Sequence, residues 1–280
     1  MNPVRNPISN GVKPIFQLDA EVIHQVKVAE ESYILSLNAP PIARAIQPGQ
    51  FIQIRCAPLL PRPFSIYRVR EKRILEVLYE VIGRGTQRMA EAKKGDRLNL
   101  FGPLGNTFSY PHAKGISILV GGGVGLAPFY DLAEALVDPK RGRRKKEDIL
   151  VLLGARNRKR VFCEKDFRKL GVRFEIATDD GSYRFKGFVT QLLEKHLRTT
   201  HDARRTTHLY ACGPNPMLQR VSGLSKKFRI PCELSIDATM PCGYGICFGC
   251  AVKVRTQDHF CYKLACIDGP VFDTKEIVWD

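Results

Sequence analysis

The 280-residue sequence predicts an antiparallel β-barrel, then a parallel α/β sheet, then a small cysteine-rich unit at the C-terminus. Three observations predict this fold. Short apolar segments separated by glycine and proline turns fill the first third of the chain. From residue 115, strand-like apolar segments alternate with helical patterns, which is typical of a parallel sheet covered by helices. Beyond residue 230 neither pattern continues, and six of the nine cysteines lie there.

The chain divides into four parts along these changes of pattern. Residues 1–19 contain three prolines and lack apolar periodicity, so we expect a disordered lead. Residues 20–110 are expected to form the barrel domain, 111–230 the α/β domain and 231–280 the cysteine-rich domain. The predicted barrel strands are 22–28, 33–37, 51–56, 64–69, 74–81 and 97–101.

The α/β part is predicted from buried apolar segments of strand length and from longer segments of helical periodicity. The predicted strands are 116–120, 149–153, 172–177 and 208–212. The predicted helices are 126–137, 162–170, 188–197 and 216–228.

Composition limits the possible functions. The net charge is +16, but the basic residues are spread along the chain, and the densest run, 140–146, fits a solvated loop better than a nucleic-acid site. No run of eighteen apolar residues occurs, so we expect no membrane span. Residues 1–14 lack the apolar core of a secretory signal. We therefore expect a cytoplasmic protein, in which clustered cysteines are more often metal ligands than disulfides.

Two segments of the predicted barrel carry groups suited to a phosphorylated ligand. One begins a predicted strand and offers a cation, a rigid turn and a hydroxyl: Arg62, Pro63, Phe64 and Ser65. The other, 83–86, includes Gly85 and Thr86 and precedes the helical pattern 87–92, so that a helix N-terminus would face an anion. Each pattern alone also fits an ordinary turn.

A glycine-rich turn follows the first predicted α/β strand and opens a helix; its glycines are Gly121, Gly122, Gly123 and Gly125. In that position glycines let the backbone approach a dinucleotide phosphate. The spacing is not G-x-G-x-x-G, so we predict a Rossmann-like sheet rather than an ordinary dehydrogenase domain. The last predicted strand ends in Cys212, Gly213 and Pro214, where an open α/β sheet binds ligands. Cys212 fits either a residue facing a nicotinamide or a packed thiol.

Three cysteines have the C-x4-C-x2-C spacing of plant-type ferredoxins: Cys242, Cys247 and Cys250. With a fourth thiolate they would ligate a [2Fe–2S] cluster, and the interleaved glycines allow the backbone to wrap closely around it. Structural zinc is the alternative, but its usual second C-x2-C-like pair is absent. Cys261 and Cys266 compete as the fourth ligand. We favour Cys266 because an Ile-Asp-Gly-Pro turn follows it, whereas Cys261 lies in a strand-like segment.

The order of the motifs resembles a known superfamily. R-P-F-S, G-R-G-T, G-G-G-V-G-L-A-P, T-D-D-G-S and C-G-P follow one another as in the ferredoxin–NADP reductase superfamily. With C-G-x-G-x-C-x-G-C and Y-K-x-x-C-x-D-G-P-V-F added, residues 20–272 resemble the electron-transfer subunits of class 1B dihydroorotate dehydrogenases.

The resemblance implies a flavin-binding β-barrel, a nucleotide domain that binds NAD, and a C-terminal [2Fe–2S] domain. The implied FAD contacts are Arg62, Pro63, Phe64, Ser65, Leu78, Tyr79, Glu80, Gly85 and Thr86. The family usually has a basic residue in place of Glu80, so only its backbone role carries over. The implied cluster ligands are Cys242, Cys247, Cys250 and Cys266.

The resemblance also implies an electron-transfer function in pyrimidine biosynthesis. Electrons from dihydroorotate, oxidised on a separate FMN-containing catalytic subunit, would pass through the cluster and FAD to NAD⁺. The expected assembly is a heterotetramer with two copies of each subunit, and we expect no catalytic residue of this chain to touch orotate.

Other functions fit parts of the pattern. The nearest is an NAD(P)H–ferredoxin or hydrogenase diaphorase-type subunit with the same FAD and cluster layout, in which an aspartate replaces the first cluster cysteine. A single-chain reductase of an oxygenase is the next, and a zinc-bearing nucleic-acid-binding protein the most distant. Arg156 and Arg158 also leave open a 2′-phosphate, and hence NADP.

Overall fold

The computed structural model describes residues 14–56, 60–110, 115–142, 144–200, 206–257 and 259–279. Residues 1–13 of the expected lead and residue 143 of the basic run therefore lie outside the described residues. No helix in the described ranges is long and apolar enough to cross a membrane.

The N-terminal part is a seven-stranded antiparallel sheet that closes around an apolar interior. Its strands are β1 (Phe16–Ala29), β2 (Ser32–Asn38), β3 (Phe51–Arg55), β4 (Pro61–Ser65), β5 (Arg68–Arg70), β6 (Ile74–Glu80) and β7 (Arg97–Leu104). Their order in the sheet is β4-β3-β7-β1-β2-β6-β5. Two short helices accompany them, α1 (Pro40–Ala45) and α2 (Arg84–Ala90). Alternate residues such as Val22, Leu35 and Ile52 fill the interior, as the period of a strand requires.

Two sequence-based boundaries in this part were wrong. The disordered lead was expected to reach residue 19, but β1 begins at Phe16, which pairs with Gly102 of β7, and Leu18 is buried. The predicted strand 64–69 is two strands, because the ladder with β3 ends at Ser65 and β5 pairs with β6 instead.

The second sheet holds the α/β part and is completed by the C-terminal segment. Its first six strands are β8 (Gly115–Gly122), β9 (Ile149–Ala155), β10 (Arg173–Thr178), β11 (Phe185–Lys186), β12 (Thr206–Cys212) and β13 (Cys232–Ser235). A separate hairpin, β14 (Ala251–Arg255) with β15 (Phe260–Leu264), precedes the last strand, β16 (Val271–Asp273). The order is β11-β10-β9-β8-β12-β13-β16, and only β16 is antiparallel to its neighbour.

Helices cover both faces of this sheet: α3 (Ala127–Val137), α4 (Glu164–Leu170), α5 (Val189–Thr200) and α6 (Asn215–Phe228). Phe129 and Phe167 of α3 and α4 belong to one core, and Leu193 and Leu218 of α5 and α6 to the other. Because β13 and β16 complete the sheet, it extends beyond residue 230, where we had ended the α/β part.

The two sheets are packed together. Phe108, just after the barrel, meets Tyr210 of β12 edge to face at 5.6 Å between ring centroids. The guanidinium of Arg68 in β5 lies 3.9 Å from the ring centroid of Tyr130 in α3. In the second sheet, β8 has β9 on one side and β12 on the other. This reversal of strand order is where open α/β sheets bind ligands at their carboxyl ends.

Candidate cofactor and cluster sites

The barrel brings into contact two of the segments that the resemblance implies for FAD, 62–65 and 78–80. Phe64 of β4 meets Tyr79 of β6 edge to face, with 6.0 Å between ring centroids. The Tyr79 hydroxyl donates to Gln25 Oε1 at 2.9 Å, and both Leu78 and Tyr79 are buried. Burial raises the pKa of the Tyr79 hydroxyl above its usual range.

The turn before α2 is fixed by Thr86 and lies against Arg62. Thr86 Oγ1 accepts hydrogen bonds from the amides of Ile82 (3.0 Å) and Gly83 (3.3 Å). A Cβ placed on Gly85 would lie 3.8 Å from Arg62 Nε. The guanidinium of Arg62 therefore lies beside the first turn of α2, and a cation next to a helix N-terminus suits a phosphate group.

Glu80 differs from Leu78 and Tyr79 because its side chain forms an ion pair. Its carboxylate accepts a hydrogen bond from Arg160, which also pairs with Glu31 in the β1–β2 turn. Arg160 lies in the short 3₁₀ helix after β9, so this ion pair joins the barrel to the α/β part. The backbone role of Glu80 toward FAD stays a prediction, and Arg160 was not predicted from the sequence.

The glycine-rich turn packs tightly on the end of β12. A Cβ on Gly125 would lie 2.3 Å from the carbonyl oxygen of Cys212, and one on Gly122 would lie 2.7 Å from Met217 Sδ. Gly121 is similarly close to Leu126. Gly123 alone combines a left-handed φ of +55° with open space around its Cα. Most of these glycines are thus explained by close packing, and Gly123 leaves the backbone open to a ligand.

The Cys212-Gly213-Pro214 segment lies beside that turn. Cys212 is paired with Gly121 in the parallel ladder, and a Cβ on Gly213 would lie 3.0 Å from the Gly122 amide nitrogen. Burial raises the pKa of the Cys212 thiol to about 12, despite a hydrogen bond with Ser235. Cys212 is therefore a neutral, packed thiol at neutral pH.

The loop 242–250 has no regular secondary structure and wraps around sulfur atoms. Gly243 (φ +80°), Gly245 (φ +83°) and Phe248 (φ +58°) all have left-handed backbone angles. Burial opposes ionisation of the Cys242 thiol, but the amides of Cys247, Tyr244 and Ile246 point at its sulfur and lower its pKa to about 6. Amides directed at thiolate sulfurs are a feature of iron–sulfur sites.

The four predicted ligands lie in two pairs. Cys250 Sγ is 3.3 Å from Cys266 Sγ, and the Cys242 and Cys247 thiols are also in hydrogen-bond contact. Burial, followed by the proximity of Cys250, raises the pKa of Cys266 to about 12, and its sulfur faces the amide of Gly245. The two pairs are neighbours, since the charge of Cys242 acts on Cys266.

This pairing tests which metal the residues fit. Among the described residues, no three His, Cys, Asp or Glu side chains gather tightly enough to hold one metal ion. Structural zinc needs four ligands around one centre. A [2Fe–2S] cluster instead takes two protein ligands on each of two irons. The two-by-two arrangement therefore fits the cluster better than zinc. Cys261 lies exposed on β15, opposite Val254, and belongs to neither pair.

The surface of the loop is apolar and open to solvent. Tyr244, Ile246 and Phe248 are 50%, 70% and 67% exposed, and they flank the exposed Cys247. We call these three side chains the loop patch. On β15, Phe260 and Tyr262 are also exposed. The buried pair, Cys250 and Cys266, instead belongs to a core that includes Phe51 and Leu104 of the barrel.

Sequence reasoning missed two amide side chains that join the barrel to the cysteine segment. Gln53 of β3 reaches Met240, and Asn106 after β7 reaches the turn at 268–271. The only local signal for Gln53 is a polar residue within the apolar strand Phe-Ile-Gln-Ile. Asn106 gave no signal beyond its place in a Gly-Asn turn.

Comparison with known protein families identifies two regions of the chain. Residues 237–278 match the iron–sulfur cluster binding domain of dihydroorotate dehydrogenase B. Residues 119–223 match the oxidoreductase NAD-binding domain.

Two bacterial relatives match nearly the whole chain. The dihydroorotate dehydrogenase B (NAD(+)) electron transfer subunit of Desulforamulus reducens is 38% identical over 267 residues, covering 94% of this chain and 98% of that protein. The subunit of the same name from Geobacillus thermodenitrificans is 38% identical over 265 residues, covering 92% of this chain and 96% of its own.

Solved structures share the fold. An NADH-dependent reduced ferredoxin–NADP oxidoreductase superposes with a TM-score of 0.81 at 30% identity, covering 93% of this chain and 90% of that chain. The ferredoxin reductase of carbazole 1,9a-dioxygenase gives a TM-score of 0.65 at 22% identity, covering 78% of this chain and 67% of that chain. The barrel and the Rossmann-like sheet predicted from the sequence are confirmed by this likeness. The near-complete matches at 38% identity place the chain in the family of dihydroorotate dehydrogenase B (NAD(+)) electron transfer subunits.

Proposed function

We propose that this chain passes electrons from dihydroorotate oxidation on an FMN-containing catalytic subunit to NAD⁺. Oxidation of dihydroorotate to orotate releases two electrons and two protons. NAD⁺ takes up both electrons and one proton as hydride, and the other proton goes to solvent. When bound, FAD exchanges a hydride with the nicotinamide and single electrons with the [2Fe–2S] cluster. The observation that carries the proposal is the two-by-two arrangement of four cysteine sulfurs with backbone amides directed at them.

The FAD assignment is supported by the convergence of Arg62 with the turn at Gly85 and by the Phe64–Tyr79 contact. In this role Arg62 and the turn would bind the pyrophosphate, and the Ser65 hydroxyl would hydrogen-bond the flavin ring. The remaining proposed contacts are Pro63, Leu78, Tyr79, the backbone of Glu80, and Thr86.

NAD is assigned to the crevice between the ends of β8 and β12. Gly123 offers an open, left-handed backbone position for a phosphate, while Gly121, Gly122 and Gly125 let the turn lie close to β12. Gly213 and Pro214 shape the nicotinamide end of the crevice. The packed, neutral Cys212 acts there through its shape, because its thiol does not ionise at neutral pH.

The cluster ligands are assigned as Cys242 and Cys247 on one iron and Cys250 and Cys266 on the other. The amides of Tyr244, Ile246 and Gly245 stabilise thiolate charge, which is the form that binds iron. The first pair is at the surface and the second is buried toward the barrel.

The catalytic subunit is proposed to dock on the loop patch. Its three exposed apolar side chains lie beside Cys247, so a partner covering them would remove apolar surface from water next to the exposed end of the cluster. We expect a heterotetramer with two copies of each subunit.

Reconstitution tests the proposal. The purified chain, mixed with an FMN-containing dihydroorotate dehydrogenase subunit, should reduce NAD⁺ when dihydroorotate is added. The chain alone should still oxidise NADH with an artificial dye. If dye reduction occurs but orotate never forms with such a partner, the coupling function is wrong and the flavin assignment stands.

One observation favours a second candidate, a subunit that exchanges electrons with ferredoxin. The structure with a TM-score of 0.81 belongs to an NADH-dependent reduced ferredoxin–NADP oxidoreductase. Reduced ferredoxin supplied in place of dihydroorotate and the FMN subunit should support NAD⁺ reduction only if this candidate is right. Parallel assays with NADP⁺ test whether Arg156 and Arg158 accept a 2′-phosphate.

A further inference from the structure

The flavin barrel holds the cysteine segment at a point just before its first ligand. Gln53 of β3 is 2% exposed, and its Nε2 donates to the carbonyl oxygen of Met240 at 2.7 Å. A Cβ on Gly243 would lie 2.9 Å from both Cγ and Nε2 of Gln53. The backbone on either side of Cys242 therefore rests directly on this side chain.

A second amide holds the segment just after its last ligand. Asn106 Nδ2 donates to the carbonyl oxygens of Asp268 (2.8 Å) and Val271 (2.7 Å), while its Oδ1 accepts from the Val271 amide at 2.9 Å. Its own backbone amide donates to the Gly269 carbonyl at 2.6 Å. The turn that follows Cys266 is thus fixed by one barrel residue.

Both amides belong to the framework that carries the proposed flavin residues. Gln53 stands opposite Pro63 in the ladder between β3 and β4, and opposite Phe101 in the ladder between β3 and β7. Phe101 meets Tyr244 edge to face at 5.8 Å between ring centroids. Displacing either amide contact would therefore shift the cysteines relative to β4.

We propose that Gln53 and Asn106 are positioning residues that bracket the four cluster ligands and fix their distance from the flavin site. The inference rests on the proposed function, since it assumes that FAD and the cluster occupy these sites. Neither residue is assigned to FAD or iron; each acts through the cysteine segment that it holds.

Burying the Gln53 side chain is energetically unfavourable, and this supports a specific role for it. Its Oε1 is buried and has no hydrogen-bond partner among the described residues. A buried amide with one unsatisfied end is unfavourable compared with an apolar side chain in the same strand. The hydrogen bond to Met240 is the one favourable polar interaction of this side chain among the described residues. Gln53 is therefore better explained by its contact with the cysteine segment than by a contribution to barrel stability.

Gln53→Leu removes the donor while nearly keeping the shape, and it also removes the unsatisfied oxygen, so we expect the barrel to fold. Gln53→Glu keeps the shape but places a carboxylate against the Met240 carbonyl. Gln53→Asn keeps an amide that is one methylene shorter, in case the leucine variant loses iron. Asn106→Ala tests the other contact. Asn99→Ala is the matched control, because Asn99 of β7 bonds Asp19 within the barrel at 2.8 Å.

Three measurements are made on each protein loaded with FAD and iron. The first is the rate at which NADH reduces the cluster, followed by rapid freezing and electron paramagnetic resonance. The second is NADH-dependent dye reduction, which reports the flavin alone. The third is hydrogen–deuterium exchange in 240–250 and 266–271.

We expect cluster reduction to slow severalfold in the Gln53 and Asn106 variants, because the rate of electron transfer falls steeply as the cluster moves away from the flavin. Dye reduction should stay at the wild-type rate, and amide exchange should increase in the two segments. Asn99→Ala should match the wild type in all three.

Wild-type rates of cluster reduction in the Gln53 and Asn106 variants would overturn the inference, as would a parallel loss of dye reduction. A wild-type protein that binds FAD but no iron would instead contradict the proposed function.

Discussion

The glycine-rich turn at 121–125 and the cysteine-rich loop at 242–250 use the same residue for different physical reasons. In the turn, Gly125 is needed because a Cβ would lie 2.3 Å from the Cys212 carbonyl oxygen. In the loop, Gly243 and Gly245 are needed chiefly because their φ angles are +80° and +83°, which let neighbouring amides point at sulfur. The turn therefore depends on close packing and the loop on backbone conformation, so the two regions should respond differently to substitution.

The largest effect, a loss of iron, should appear when a cluster ligand is removed. Cys266→Ser takes a thiolate from the buried pair, so we expect the cluster to be lost and iron to fall to a trace, with FAD still bound. Metal analysis measures the iron, and the flavin absorption spectrum measures the bound FAD. Cys261→Ser is the control, since Cys261 is exposed on β15, and it should keep its iron. Iron retained in Cys266→Ser but lost in Cys261→Ser would reverse the ligand assignment.

Alanine at Gly125 should cause the largest loss of fold stability. The new Cβ meets backbone atoms that cannot move without separating the turn from β12, so we expect the free energy of unfolding to fall by about 3 kcal/mol. Gly123→Ala is the matched comparison in the same turn. Its Cβ would meet open space, so only the left-handed φ angle opposes the substitution, and the expected loss is about 1–2 kcal/mol. Denaturant unfolding of both variants measures the difference, and equal losses would contradict the packing explanation.

Alanine at Gly243 should have a smaller and local effect. The left-handed φ costs about 1–2 kcal/mol, and the Cβ would press on the Gln53 side chain rather than on backbone. We expect faster loss of iron on dilution in air, with the barrel and the sheet unfolding as in the wild type. Iron retention measures the local effect on the loop, and a thermal melt measures the stability of the barrel and the sheet. A melt shifted as far as that of Gly125→Ala would remove the distinction between the regions.

Removal of iron from the intact protein should have the smallest effect on the fold. Backbone amides in 242–250 should then exchange faster, because the metal no longer holds the loop, whereas amides of β8 and β12 should keep their protection. Hydrogen–deuterium exchange before and after chelation gives the comparison. Loss of protection in β8 would mean that the sheet depends on the cluster.

Local patterns predicted much of this molecule. The strands β2, β6, β8 and β9 follow from apolar runs bounded by turns, and the cluster cysteines from their spacing, because each signal lies within one short segment. Helix α1 was missed, since Pro40 and Pro41 read as a turn rather than as the start of a helix. The four-residue β13 and three-residue β16 are too short to be recognised alone, and they are strands because β13 pairs with β12 and β16 pairs with β13.

The residues that connect the regions could not be predicted in this way. Gln53 bonds a residue 187 positions away, Asn106 one 162 positions away, and Arg160 one 80 positions away. Contacts between residues so far apart leave no pattern in the sequence from which the partners could be predicted. The glycine turn shows the complementary limit: the sequence located it correctly, but the packing of Gly125 against Cys212 depends on two strands that the fold makes neighbours.

Metal and sulfide analysis of the anaerobically purified chain, combined with electron paramagnetic resonance after reduction, tests the central claim most directly. Two pairs of cysteine sulfurs predict about two irons and two sulfides per chain, with a spectrum of a reduced [2Fe–2S] cluster. A single zinc ion per chain, without sulfide and without a paramagnetic signal, would contradict the account.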